Sequence, residues 1–101
     1  MSEQMRMFDY TTKVNKNVIR FDSQSGIEHK LAILDKCRQL LIDGEDFFTR
    51  ARLQDNEACA DLYILSNNLV LEFQFAETEE SIERKRKIWS EKRFNFDVVK
   101  V

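Results

Sequence analysis

The chain has 101 residues, with 16 Lys and Arg against 18 Asp and Glu, a formal charge of −2, 43% apolar residues and 34% charged ones. That profile fits one globular domain over residues 1–101, burying roughly 60 to 65% of its unfolded surface and gaining from a partner subunit, so a homodimer is expected. No apolar run nears the ~18 residues that cross a bilayer and the start MSEQMRMFDYTTK has no apolar signal core, so a cytoplasmic protein without membrane contact is expected, while the near-neutral balance weakens the case for tight non-specific binding to nucleic acid.

Residues 1–24 read as an N-terminal extension. Phe8, Tyr10, Thr12 and Val14 alternate before Asn15-Lys16-Asn17, and Val18, Ile19 and Phe21 follow, which predicts a β-hairpin. Residues 25–101 form the core. A first helix begins after Ser25, with Glu28 three residues on as in a capping box, and ends at Gly44. Its apolar stripe is Ile27, Leu31, Leu34 and Leu41, with Ile33, Cys37 and Leu40 beside it, and this broad face should lie on a sheet.

The segment DFFTRARL alternates as a strand and runs into the turn QDNE. ADLYILSNNLVLEFQF supplies two more strands around Asn67-Asn68, a plausible two-residue turn because Asn tolerates positive φ. Thr78 caps a second helix through about Ser90, with Ile82, Arg86 and Trp89 inside, and FNFDVVKV closes the chain as a strand parallel to the third. The expected fold is α/β, a mixed sheet flanked by helices.

Cys37, Cys59 and the lone His29 do not make a zinc site, and both cysteines are expected as packed thiols. The charges of the second helix are ordered, with Glu77, Glu79, Glu80 and Glu83 before Arg84, Lys85, Arg86, Lys87, Lys92 and Arg93; this suits the helix dipole and is compatible with a phosphate-binding face.

The turn at Asn67-Asn68 bears on chemistry. If Ser66 pairs with Leu69, Tyr63 faces Glu72 and Asp61 faces Gln74, so Asp61, Glu72 and Gln74 share one face of the sheet. On the diagonal, Asp61 and Glu72 would hold their Cβ atoms within roughly 7 to 8 Å, near enough for both carboxylates to reach one divalent ion at ~2.1 to 2.5 Å. Two carboxylates among Leu, Val, Ile and Phe repel and resist burial, and a hard cation offsets that cost. A solvent-facing side of the sheet, or an ion pair with Arg50 placed opposite Asp61 by a turn at Asp55-Asn56, would explain them equally.

With its early Glu28, its meander carrying ADL at Asp61 and LEFQ at Glu72 and Gln74, and its basic helix and last strand, the sequence resembles the core of the PD-(D/E)XK nuclease superfamily over about residues 25–101. That superfamily includes restriction-type endonucleases and small archaeal Holliday-junction resolvases. The resemblance implies a restriction-endonuclease-like αβββαβ core and Mg²⁺- or Mn²⁺-dependent hydrolysis of DNA phosphodiesters by a homodimer, with no organic cofactor and with the extra hairpin as a candidate dimer contact. It implies Asp61 and Glu72 as metal ligands. Glu28 would add a ligand directly or through water, or serve only as the capping partner of Ser25. Two positions depart from the motif: Ala60 stands where the family has proline, and Gln74 where it has the lysine that orients the attacking water. Lys85 or Lys87 would restore that charge, or simply face water. The runner-up is a catalytically inactive nuclease-fold domain that binds nucleic acid or protein, and the third alternative is an unrelated α/β interaction protein.

Overall fold

The computed structural model describes residues 4–9 and 16–101. Among them the order of elements is a 3-10 turn at Met5–Met7, α1 (Ile27–Ile42), β1 (Phe47–Arg52), β2 (Cys59–Ile64), β3 (Leu69–Gln74), α2 (Glu79–Glu91) and β4 (Asn95–Lys100). The strands make one mixed sheet in the order β1-β2-β3-β4, with β1, β2 and β3 antiparallel in turn and β4 parallel to β3. This is the α/β layered architecture expected. No helix of the described residues is long and apolar enough to cross a membrane.

The two helices cover opposite faces. Ile33, Cys37 and Leu40 of α1 pack on Phe47, Leu62, Ile64, Leu71 and Phe73. On the other face Trp89 of α2 joins Phe8, Phe48, Tyr63, Val70 and Phe94. Neighbouring strand residues such as Phe47 and Phe48 thus serve different clusters, as strand alternation requires.

Three expectations need correction. The hairpin at 8–21 does not form as read: Tyr10–Asn15 lie outside the described residues and 18–21 is not strand. Phe8 bridges instead to Leu53, and Thr49 Oγ1 takes the Arg20 N–H at 2.8 Å and donates to the Val18 carbonyl at 2.6 Å, so the extension runs along the edge strand β1. The Ser25–Glu28 capping box is absent, because α1 is capped by Gly26, which offers no side chain. The apolar stripe of α1 is also turned around: Ile27, Leu31, Leu34 and Leu41 are 64%, 55%, 41% and 50% exposed, and the narrower row Ile33, Cys37, Leu40 faces the sheet.

Both helices end in the same device. In α1, Gly44 at φ +71° donates to Leu41 while Glu45 donates to Leu40; in α2, Arg93 at φ +67° donates to Ser90 while Phe94 donates to Trp89. These paired bonds are Schellman motifs. The α2 version adds the expected apolar contact, Phe94 standing edge-on to Trp89 with ring centroids 5.0 Å apart.

Candidate functional site: a buried carboxylate pair between β2 and β3

The β2–β3 turn is longer than two residues. Leu62 pairs with Leu71, Tyr63 with Val70 and Ile64 with Leu69, a shift of two residues from the expected register. Asn68 takes the positive φ, +51°, and is pinned from outside the hairpin: it accepts from Tyr63 Oη at 2.7 Å and donates to the Arg93 carbonyl at 2.9 Å. A shift of two keeps every side chain on its face. Carried one step further, the observed register sets Asp61 directly across from Glu72.

The ladder stops there for a local reason. Thr49 pairs with Leu62 and Ala51 with Ala60, but Arg50, at φ +52°, and Asp61 between them do not pair. Side-chain alternation breaks at the same point, since Ala60 and Tyr63 join the α2-side cluster while Leu62 joins the α1-side one. Released from the ladder, Asp61 turns its carboxylate into the gap between β2 and β3, where Oδ2 accepts the Phe73 N–H at 2.9 Å. The side chain thus takes a place that a main-chain carbonyl fills in a regular sheet.

Asp61 and Glu72 are 7% and 3% exposed, and the Asp61 carboxylate acts electrostatically on the Glu72 carboxyl. Burial, then the charge of Asp61, pushes Glu72 up to about 8 against the pull of Lys85, so Glu72 carries a proton at neutral pH. Lys85 of α2 reaches Glu72 Oε1 at 3.1 Å and also contacts Glu77. Burial pulls this ammonium down, and the bond to Glu77 with the charge of Glu72 more than compensates, leaving it raised. From the other face, His29 of α1 places Nε2 3.4 Å from Asp61 Oδ2. Two buried polar atoms of the cluster have no hydrogen-bond partner, Glu72 Oε2 and His29 Nδ1.

Of the residues singled out in the sequence, Asp61 and Glu72 are thus brought together, and Lys85 joins them. Gln74 lies on the same strand, but its amide donates to the Glu77 carbonyl at 2.9 Å and so holds the entry to α2. Lys87 and Glu28 are exposed and make no contact with the carboxylate pair among the described residues. Arg50 stands opposite Asp61 in register, yet its guanidinium turns to Asp22 at 3.8 Å. His29 was set aside in the sequence as a non-ligand. The available signal was its spacing, one turn before Ile33 in the row Ile33–Cys37–Leu40, which places it on the sheet-facing side once that row is known to be the inner one.

Among the described residues no group of three His, Cys, Asp or Glu is spaced to hold a metal ion alone. The chain matches no family model, no curated protein and no solved structure in the comparisons made with each.

Proposed function

We propose that Asp61 and Glu72 form the metal-binding centre of a DNA phosphodiester hydrolase on a restriction-endonuclease-like αβββαβ core. The observation that carries this reading is the pair itself: two buried carboxylates from adjacent strands, the charge of one acting on the other, with Glu72 Oε2 lacking a hydrogen-bond partner. The donor set fits Mg²⁺ or Mn²⁺, because a hard ion of this kind takes one or two carboxylates and fills its remaining positions with water and substrate phosphate. Such an ion, when bound, acidifies a ligated water and stabilises charge developing on the phosphate.

The chain's own groups have distinct tasks in this scheme. Asp61 and Glu72 hold the ion, and Glu72 gives up its proton on loading. His29 fixes the Asp61 carboxylate from the α1 side. Lys85 brings from α2 the cationic group that Gln74 does not provide, and its Nζ stands beside Glu72 where substrate phosphate would approach. The exposed apolar stripe Ile27, Leu31, Leu34 and Leu41 of α1 offers a homodimer its contact face.

Calorimetric titration with Mg²⁺ and Mn²⁺ tests the centre: binding is expected in the native chain and is lost in Asp61→Asn and in Glu72→Gln. Cleavage of linear, branched and single-stranded DNA, with and without EDTA, tests the reaction. A chain that takes up no metal and cuts nothing would instead be a nuclease-fold binding domain, a reading favoured by the engagement of Gln74 with the β3–α2 connection.

A further inference from the structure

A cavity of about 520 Å³ opens beside the carboxylate pair, on the α2 face, lined by Arg52, Asn56, Glu57, Ala58, Cys59 and Lys85. Its size is that of a small-ligand site. Its walls come from four places: the end of β1, the turn closed by the Leu53 N–H to Ala58 carbonyl bond, the start of β2 at Cys59, and the middle of α2. Lys85 belongs both to this cavity and to the contact with Glu72.

The lining carries two cationic side chains, Arg52 and Lys85, against one carboxylate, Glu57, which shares Lys92 at 3.5 Å with the nearer Asp55 at 2.9 Å. Arg52 is exposed, makes no ion pair among the described residues, and its charge acts on the Cys59 thiol. Lys85 spends two contacts on Glu72 and Glu77, and an ammonium has three donors. Arg52 and Lys85 therefore present donors into one space with Ala58 and Cys59 as an apolar wall and the Asn56 amide at the rim. That combination suits a phosphate with its attached sugar and base.

We infer that this cavity is a nucleotide subsite, in which Arg52 and Lys85 hold the phosphate of a single-stranded segment next to the phosphate at Asp61 and Glu72. The inference rests on the reading of that pair as the reaction centre and adds a substrate class to it. A cavity that admits one nucleotide unit cannot take a stacked base pair, so the strand enters it unpaired.

Cys59 is a built-in reporter. It is half-buried on the cavity wall, and burial raises its thiol too, whereas Cys37 is fully buried with its thiol pushed up to about 11, so native-state alkylation reads Cys59 first. The experiment measures the alkylation rate of the full chain with and without an oligothymidylate of eight residues, in EDTA. Protection of several-fold is expected, and in Arg52→Ala the oligonucleotide is needed at about tenfold higher concentration, with the salt slope of binding reduced by about one. Metal titration of Arg52→Ala should match the native chain, which separates this subsite from the metal centre. Absence of protection, or protection unaltered in Arg52→Ala, overturns the subsite even if metal binding and cleavage hold. Protection that persists where no metal binds keeps the subsite and overturns the hydrolase reading alone.

Discussion

α1 and α2 sit on opposite faces of the same sheet, yet they are held to it in different ways. α2 sinks Ile82 and Trp89 to 2% and 0% exposure, while α1 keeps its wider apolar stripe outside and docks through Ile33, Cys37 and Leu40. α2 carries a side-chain cap, Thr78 Oγ1 accepting the Ser81 N–H at 3.1 Å, and α1 carries none. α1 ends on a glycine in the left-handed region, and α2 forces an arginine into it. The lesson is that burial of the stronger apolar stripe is not what selected the orientation of α1; contact of His29 with Asp61 comes with the face it shows.

The sharpest way to break the comparison is at the centres of the two faces. Trp89→Ala should cost ~3 to 5 kcal/mol in denaturant unfolding, as large-to-small core changes do, whereas Leu31→Ala on the outer stripe of α1 should change stability by less than about 0.5 kcal/mol. Trp89→Phe should cost far less than Trp89→Ala, since the indole N–H is buried without a partner and its loss removes an unmet donor.

Next in size is a pH effect that involves both helices' partners in the site. Glu72 is held at about 8 in the folded chain against ~4.3 for an unfolded glutamate. The folded chain therefore binds the extra proton, and stability falls as pH rises from ~4.3 to about 8. Glu72→Gln should flatten that slope in urea melts taken across the range. Lys85→Met, which removes the cation that pulls Glu72 down, should move its midpoint above 8, visible in the carboxyl ¹³C shift; an unmoved midpoint would mean that α2 has no electrostatic hold on the pair.

Smaller effects sit at the helix ends. Arg93→Gly should gain about 1 kcal/mol by relieving the positive φ, and Gly44→Ala should lose a similar amount, a mirror-image pair that thermal melts resolve. Thr78→Ala should cost ~1 kcal/mol, and Gly26→Ser should gain a few tenths, because Gly26 has an extended backbone and a Cβ there would meet nothing closer than the Glu28 carboxylate at 3.6 Å.

Much of this was legible in the residues. Strand alternation in DFFTRARL, the Thr78 cap and the β-branched end of the chain located β1, α2 and β4 because those signals are local. The β2–β3 register was not, since Asn68 is fixed by Tyr63 and by the carbonyl of Arg93, distant in sequence. The inner row of α1 was misread because Leu and Ile line two of its sides and pattern alone does not say which one meets the sheet. Asp61 and Glu72 were found near each other despite the wrong register because an even error left them level across the strands, while the break in alternation that turns Asp61 into the gap had no local signal. Lys85 and Lys87 could not be separated without the angular position of α2 on the sheet.

The Asp61 carboxylate does two jobs with one oxygen, completing the hydrogen bonding of Phe73 and standing at the site. Truncating it to a methyl would leave an amide stranded in the interior, at a cost of ~1 to 3 kcal/mol, so an alanine scan would report collapse of the strand gap as if it were lost chemistry. Asparagine keeps an acceptor for that amide while discarding the charge. Here architecture and the proposed chemistry are separable only by an isosteric swap.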